Sequence, residues 1–413
     1  MSLSRRQFLT SASGAAGVVS VSGTLPSFLM QACLAAEGDS AGSVLVVIQL
    51  SGGNDGLNTV VPFKNELYRK ARPTLAVAPD DVLKIGGGLG FHPAARGLAD
   101  LLEGGRLGIV QGVGYPEPNR SHFESMDIWH SCRRKGEARS DGWLGRFLSA
   151  TRKTGTQRES GGDVAAVHLG PEKQPLALAS QDVPVPSIKS LDRFRLNSNA
   201  ALLRDAVAEL AAAPAETDNG LLDFVQASTQ SALAASRRVE AAGTSYKPAV
   251  SYPESGLAQK LRTVAQLIDA GLQTRVYYVT LDGFDTHSQQ AAAHAGLLRQ
   301  LSDALAAFVG DLDAHGHGDR VATLAFSEFG RRLAENASEG TDHGAAAPLF
   351  VAGNRVRSGL IGEHPGLDDL LDGDVKFHTD FRQVYAGLLT DWLKVDSGPI
   401  VGAEYQPVAL FRT

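Results

Sequence analysis

The sequence contains little cysteine, which limits how the chain can be stabilised. Among its 413 residues only Cys33 and Cys132 are cysteines. Cys33 lies in an N-terminal segment that we expect to be removed, so Cys132 is alone in the mature chain and an intramolecular disulfide is excluded. Stability must then come from packing, and a hydrophobic content of 43% is sufficient for one large or two medium cores.

The chain also lacks an excess of positive charge. It carries 39 Lys and Arg against 45 Asp and Glu, a net charge of −6. The segment 1–36 contributes only Arg5 and Arg6 to these totals, so the remainder carries 37 − 45 = −8. Such a surface gives no support for nucleic-acid binding, and we expect no nucleic-acid partner.

No run of about 20 consecutive apolar residues is present, so the N-terminus does not predict a transmembrane helix. Instead, residues 1–36 combine Ser4-Arg5-Arg6-Gln7-Phe8-Leu9-Thr10, a weakly apolar Ala/Gly/Val/Ser run and small residues at the end. This pattern resembles a twin-arginine export signal, which predicts the twin-arginine export machinery as a partner and a periplasmic or extracellular location. A retained membrane anchor and a lipoprotein modified at Cys33 are the alternatives.

The remaining chain, residues 43–413, alternates between strand and helix patterns. Apolar runs at 43–50, 106–113, 276–281, 321–326 and 348–353 predict strands. Helical periodicity at 92–103, 256–271 and 297–312 predicts the helices between them. This alternation is typical of an α/β fold with a mostly parallel central sheet and helices on both faces. Residues 150–252 differ in composition from the rest, because charged and small residues dominate there. This indicates a helical insertion that caps the sheet.

The glycine-rich turn after the first strand, Ser51-Gly52-Gly53-Asn54-Asp55-Gly56, matches neither a phosphate-binding loop nor a dinucleotide-binding fingerprint. A dehydrogenase is therefore excluded. The turn is explained either by the backbone angles that Asn-Asp-Gly favours or by Asp55 approaching a cation at the end of the strand.

Acidic and imidazole groups accumulate at the predicted ends of strands. Ligands of open α/β sheets gather beyond the carboxyl ends of strands, and carboxylate and imidazole groups together are metal ligands. Four separate segments arriving at one edge form the strongest functional signal in the sequence. The predicted metal ligands are Asp55, Asp282, Asp285, His287, Glu328, Asp342 and His343.

Ser121 follows the second strand and precedes a predicted helix. With Glu124 it matches the S-x-x-E capping box, so it is interpreted either as a helix cap or as a cap that also serves as a nucleophile. His122 and His130, on the same helix, are predicted to be wall or surface residues.

Five motifs together resemble an exported bacterial family called domain of unknown function 1501. The motifs are LSGGNDGLN, NRSHFES, DGFDTH, SEFGR and TDHG. That family is in turn remotely similar to the alkaline phosphatase and sulfatase superfamily, so the resemblance implies an alkaline phosphatase-like fold with divalent metals.

The resemblance also implies roles for individual residues. Asp55 stands for the first aspartate and Ser121 for the nucleophile. Asp285 and His287 stand for an Asp/His ligand set, with Asp282 as a substitute, Glu328 for a later acidic ligand and His343 for the final histidine. Phe329 replaces an expected histidine, which implies that a second metal is weak or absent. The residues around Ser121 lack the Pro and Arg used for formylglycine maturation, which disfavours a sulfatase of that type.

Two functions are consistent with the sequence. The first is an exported metal-dependent hydrolase or transferase acting on a small anionic ester of the phosphate type, with sulfate as the weaker option. Its metal would be Zn, Mn, Ca or Mg, and Arg120 or Arg331 would bind the anion. The second is a non-catalytic exported module with a degenerate metal or anion site, acting in a cell-envelope assembly.

Overall fold

The structure, a computed structural model, describes residues 42–153, 164–188 and 246–412. The predicted export signal and most of the predicted insertion lie outside these residues. Within the described residues, no helix combines the length and the apolar composition needed to cross a membrane.

The centre of the fold is β1 (Val44–Ser51), a strand whose apolar side chains are almost fully buried. It pairs in parallel with β8 (Val276–Asp282) on one side and with β9 (Val321–Ser327) on the other. In this register Leu50 lies opposite both Leu281 and Ser327. The three strands therefore end at the same edge, and the loops that follow them meet there.

Across the part of the chain that the structure describes, nine strands form the central sheet. Besides β1, β8 and β9 they are β5 (Leu107–Gly114), β6 (Ala166–Leu169), β7 (Ser187–Ile188), β12 (Ala347–Ala352), β13 (Gly359–Ile361) and β16 (Thr379–Asp380). Eight of them run along the path β13-β5-β12-β9-β1-β8-β6-β7, and β16 pairs with β5 beyond this path. The predicted α/β class with a mostly parallel sheet is confirmed. Residues 164–188, which belong to the predicted insertion, add β6 and β7 to this sheet.

One strand departs from the parallel arrangement, because β12 is antiparallel to both β5 and β9. Between β9 and β12 the chain forms only the hairpin of β10 (Arg331–Glu335) and β11 (Thr341–His343). Without a crossover helix the chain stays at the carboxyl edge and re-enters the sheet in the opposite direction. Smaller sheets are formed by β2 (Val60–Val61), β3 (Leu83–Gly86) and β4 (Leu89–Phe91), and by β14 (Leu370–Leu371) and β15 (Asp374–Val375).

Helices cover both faces of the sheet, which explains why β1 is apolar at consecutive positions. Val46 and Ile48 point into one core cluster, whereas Leu45 and Val47 point into the other. The first cluster is covered by α3 (Arg96–Glu103), α6 (Gly256–Asp269) and α7 (Gln290–Ala314). The second is covered by α4 (His122–Ser131), α5 (Trp143–Lys153) and α8 (Phe381–Gly387). The other α-helices of the described residues are α1 (Gly56–Thr59), α2 (Glu66–Ala71) and α9 (Gly398–Val401). A π-helical turn lies at Leu388–Trp392, and 3-10 turns lie at Leu176–Leu178 and Gly318–Arg320.

Candidate metal centre

The loop after β8 carries the sequence DGFDTH and packs directly against the loop after β1. The backbone N–H of Phe284 donates to the Ser51 carbonyl at 3.1 Å. Gly52 has a φ of +115°, and a Cβ at this position would lie 2.4 Å from the backbone nitrogen of Asp285. Glycine is therefore required at position 52 for the two loops to approach. This contact places the Asp285 carboxylate at the carboxyl edge of the sheet, where it is about half exposed.

Three imidazole rings converge on this carboxylate. The Nε2 atoms of His287 and His343 each lie 3.1 Å from Asp285 Oδ1, and His122 Nε2 lies 3.3 Å from the same oxygen. The Nε2 atoms of His287 and His343 are only 2.9 Å apart. We refer to Asp285, His122, His287 and His343 as the imidazole cluster.

Each ring is held through its other nitrogen. His122 Nδ1 lies 2.9 Å from Glu328 Oε1, and His287 Nδ1 lies 3.3 Å from Asp342 Oδ1. His343 Nδ1 donates to the backbone carbonyl of Arg120 at 2.7 Å. Because Nδ1 donates in such contacts, a neutral ring in this position directs the lone pair of Nε2 at the cluster, as in metal-binding histidines.

A buried arginine fixes the loops that surround the cluster. Arg331 donates to the carbonyls of Gly53 and Thr341 at 2.7 Å each, and it also bonds those of Gly52 and Phe284. Its Nη2 also donates to Asp285 Oδ1 at 2.8 Å. Burial acts to raise the pKa of Asp285, but the hydrogen bond and the positive charge of Arg331 act against it, and the pKa is lowered to about 2. The carboxylate is therefore ionised at neutral pH.

Three members of the cluster fit a divalent cation. The ligand atoms of His122, Asp285 and His343 all lie within 4.8 Å of one another, as is required of groups that share an ion. His122 Nε2 is buried, and within the described part of the chain it has no hydrogen-bond partner. A buried nitrogen without a partner is unfavourable unless another group binds it, and a cation beside Asp285 would do so.

A comparison with protein families identifies the chain. The family model described as "Protein of unknown function (DUF1501)" matches residues 109–391. The chain belongs to this family. The resemblance predicted from the motifs is thus confirmed for DUF1501, and no curated protein matches the sequence.

Solved structures similar to this DUF1501 protein were also found. One is a protein in the alkaline phosphatase superfamily from Vibrio parahaemolyticus, with 8% identity, a TM-score of 0.42, and coverage of 89% of this chain and 71% of that one. Another is the lipoteichoic acid synthase LtaP from Listeria monocytogenes, with 8% identity, a TM-score of 0.38, and coverage of 90% and 75%. A third is the phosphonate monoester hydrolase SpPMH from Silicibacter pomeroyi, with 8% identity, a TM-score of 0.40, and coverage of 89% and 75%. All three TM-scores are below 0.5.

His122 is the member of the cluster that sequence reasoning missed. It was predicted to be a wall or surface residue, whereas the structure places it opposite Asp285 as the first residue of α4. Its partner Glu328 lies 206 positions further along the chain, so the pairing leaves no local pattern. The available signal was its place in the NRSHFES motif, directly after the predicted nucleophile.

Two predicted ligands are not members of the cluster: Glu328 lies behind it, and Asp282 lies away from it. Glu328 is buried, and its carboxylate accepts from Gly52 N and Ser327 Oγ in addition to contacting His122. It therefore orients His122 from behind. Asp282 lies at the exposed end of β8, where its Oδ1 accepts from the Gly283 N–H at 2.8 Å.

Asp55 does not join the cluster, because its carboxylate is fully buried in an ion pair with Arg72 at 2.6 Å. Gln290 also donates to this carboxylate at 2.5 Å, and the backbone N–H of Asn58 donates to it at the start of α1. Both oxygens of the carboxylate are thus bound by groups of the protein itself. The structure gives Asp55 the role of holding the loop after β1 in place.

Ser121 stands at the N-cap position of α4, yet its side chain makes no capping hydrogen bond. Glu124, the other half of the predicted capping box, instead pairs with Arg139 at 2.6 Å. The Ser121 side chain is exposed and directly precedes His122 of the cluster. The hydroxyl is therefore not committed to the helix.

An aromatic side chain walls one side of the cluster. The buried ring of Phe329 lies with its centroid 5.0 Å from that of His122 and 4.7 Å from that of His343. Phe329 occupies the position at which the resemblance leads one to expect a histidine, and it supplies packing there. Because a phenyl ring has no ligand atom, Phe329 adds no nitrogen to those of the imidazole cluster.

Proposed function

We propose that this DUF1501 protein is an exported, metal-dependent hydrolase or transferase that acts on a phosphate-type ester. The observation that carries the proposal is the convergence of three imidazole Nε2 atoms on one ionised carboxylate oxygen. Each ring is held from behind by a hydrogen-bond acceptor, which is the arrangement that prepares histidine for a metal.

The donor set narrows the choice of metal. Ca²⁺ and Mg²⁺ prefer sites built from oxygen ligands, whereas imidazole nitrogen suits Zn²⁺ and its neighbours in the first transition series. With two or three imidazoles and one carboxylate, we infer that Zn²⁺ is the preferred cation. A bound cation of this kind lowers the pKa of a hydroxyl or water beside it and offsets negative charge on an ester.

The chain itself supplies the nucleophile and holds the site in shape. Ser121 presents a free hydroxyl next to His122, and we assign it the attacking role. Arg331 is fully enclosed and its donors are committed to carbonyls and Asp285, so it stabilises the site and does not bind the ester. The side chain of Arg120 is 39% exposed and contacts Asp374 through Nε and Nη2, which leaves Nη1 to bind the anion.

Replacement of Ser121 separates its two predicted roles. We expect Ser121→Ala to change the free energy of unfolding by less than about 0.5 kcal/mol, because no capping bond is lost. The same variant should lower turnover of nitrophenyl phosphate esters by at least about 1,000-fold while Zn²⁺ binding is retained. Chemical denaturation and steady-state kinetics measure the two effects.

The matched control is Ser255→Ala. Ser255 caps α6 by accepting a hydrogen bond from the Ala258 N–H at 3.2 Å. Its replacement should lower the free energy of unfolding by about 1 kcal/mol and leave turnover unchanged. If Ser121→Ala keeps full turnover, Ser121 is not the nucleophile.

A non-catalytic module remains the second candidate, because the network can also be satisfied without chemistry. Arg331 already neutralises Asp285, and Phe329 replaces a nitrogen ligand. This candidate predicts that the zinc-loaded protein turns over neither nitrophenyl phosphate monoesters nor diesters. Turnover that rises with added Zn²⁺ favours the enzyme.

Export is proposed from the first residues of the sequence. The paired Arg5 and Arg6 are the charged core of the predicted signal, and lysine does not replace arginine where a guanidinium is recognised. We expect the double variant Arg5→Lys with Arg6→Lys to remain inside the producing cell, as measured by fractionation. Unchanged export of the double variant would contradict the twin-arginine route.

A further inference from the structure

We propose that Asp374 is a positioning residue for the cation site, acting on His343 through Arg120. The inference rests on the cation site of the proposed function and adds a residue that lies outside the imidazole cluster. Asp374 belongs to β15, in a hairpin separate from the loops that carry the cluster.

The first link joins Asp374 to the side chain of Arg120. Asp374 Oδ2 accepts from Arg120 Nε at 2.9 Å and from Nη2 at 2.5 Å. The Asp374 side chain is only 2% exposed. Two charge-assisted bonds from one planar guanidinium fix both the position and the orientation of that group. Asp374 thereby restricts the conformations open to Arg120.

The second link joins the backbone of Arg120 to His343. The Arg120 carbonyl accepts the His343 Nδ1 proton at 2.7 Å, the shortest of the contacts that hold the three rings from behind. This bond selects the tautomer whose Nε2 lone pair faces Asp285. A rotation of the Arg120 peptide would release the ring and allow the other tautomer.

Burial of a carboxylate is unfavourable unless other groups compensate its charge. Burial acts to raise the pKa of Asp374, and it outweighs the attraction to Arg120 and to Arg332, whose Nε lies 3.5 Å from Oδ1. Asp374 Oδ1 has no hydrogen-bond partner among the described residues. Asp374 is therefore a costly residue for the fold alone, which favours a role in the site.

The alternative explanation is that the pair merely stabilises the fold, and the chain contains a matched control for it. Asp380 and Arg382 form a similar pair through the same two donors, with Nε to Oδ1 at 2.8 Å and Nη2 to Oδ2 at 2.7 Å, whereas both Arg120 donors reach one oxygen of Asp374. Both side chains are also largely buried. This second pair lies at the start of α8 and contacts no member of the imidazole cluster.

The test measures Zn²⁺ affinity by competition with a chelating dye, at fixed pH, on protein shown to be folded by circular dichroism. Asp374→Asn should weaken Zn²⁺ binding by about 10- to 100-fold, the loss typical of partners behind a metal ligand. Asp380→Asn should leave the affinity unchanged. Should Asp374→Asn fail to fold, Arg120→Ala keeps the carbonyl but frees it from the fork, and it should show the same loss.

The outcomes separate this inference from the proposed function. Wild-type protein that binds no Zn²⁺ would refute the cation site and the inference together. If wild-type protein binds Zn²⁺ but Asp374→Asn and Arg120→Ala bind it equally well, only the role of Asp374 is refuted. Equal losses for Asp374→Asn and Asp380→Asn would likewise refute it, since they indicate a general effect on stability.

Discussion

Replacement of His343 by alanine should abolish both cation binding and ester turnover. His343 contributes the Nε2 that lies 3.1 Å from Asp285, and it is the least exposed of the three rings, at 18%. Loss of a residue behind a metal ligand weakens binding by about 10- to 100-fold, so loss of the ligand itself should exceed about 100-fold. Zn²⁺ titration measures the first effect, and hydrolysis of nitrophenyl phosphate measures the second.

His317→Ala is the control for this variant. His317 also pairs with a carboxylate, since its Nε2 lies 3.2 Å from Asp269 Oδ1, but it lies beyond α7 and outside the cluster. We expect Zn²⁺ affinity and turnover of His317→Ala to equal those of the wild type. A His343→Ala protein that retains wild-type affinity would show that this ring does not bind the ion.

Replacement of Arg72 by leucine should produce the largest loss of stability. Arg72 and Asp55 form an ion pair in which neither side chain is exposed to solvent. Removing one partner of a buried pair typically lowers the free energy of unfolding by about 3–5 kcal/mol, because the other charge is left unpaired. Chemical denaturation of zinc-free protein measures this change without a contribution from the metal.

The same pair predicts a dependence on pH. Burial acts to raise the pKa of Asp55, but the charges and hydrogen bonds around it, above all those of Arg72, outweigh burial and lower that pKa in the fold. A group whose native pKa is lowered adds stability above its ordinary value of 3.8, and the contribution is lost as the pH falls through the native pKa. Arg72→Leu should therefore lose most stability relative to wild type near neutral pH.

The control is Arg96→Leu, which removes an ion pair of the same chemistry from the surface. Arg96 is half exposed and contacts Asp100 and Glu103 on α3. Water screens such pairs, so the change should be far smaller than for Arg72→Leu. Similar losses for the two variants would contradict a structural role for the buried pair of Asp55.

The sequence predicted the parts of the fold that depend on local pattern. β1 was recognisable because it is apolar at consecutive positions from Val44 to Ile48 and ends in a glycine-rich turn, as a strand covered on both faces requires. The antiparallel direction of β12 was not predictable in the same way, because it depends on the β10–β11 hairpin remaining at the carboxyl edge. The residues within β12 themselves do not indicate whether the strand is parallel or antiparallel to its neighbours.

The site was predictable to the extent that its residues follow strands. Asp285, His287 and His343 were found because they follow a strand or precede the last one in motifs rich in ligand groups. His122 was missed because its link to Glu328 spans 206 positions. Asp55 was given a ligand role because its partner Arg72, 17 positions away, has no motif that reveals the pair. The Ser121 capping box failed because Arg139 competes for Glu124.

The central claim is that the three rings and Asp285 together hold a cation, and X-ray absorption of the zinc-loaded protein tests it most directly. The account predicts a zinc spectrum with imidazole nitrogen and carboxylate oxygen ligands, in which His122→Ala reduces the imidazole signal. Protein that retains no Zn²⁺ after dialysis, or a spectrum without imidazole ligands, would contradict the account.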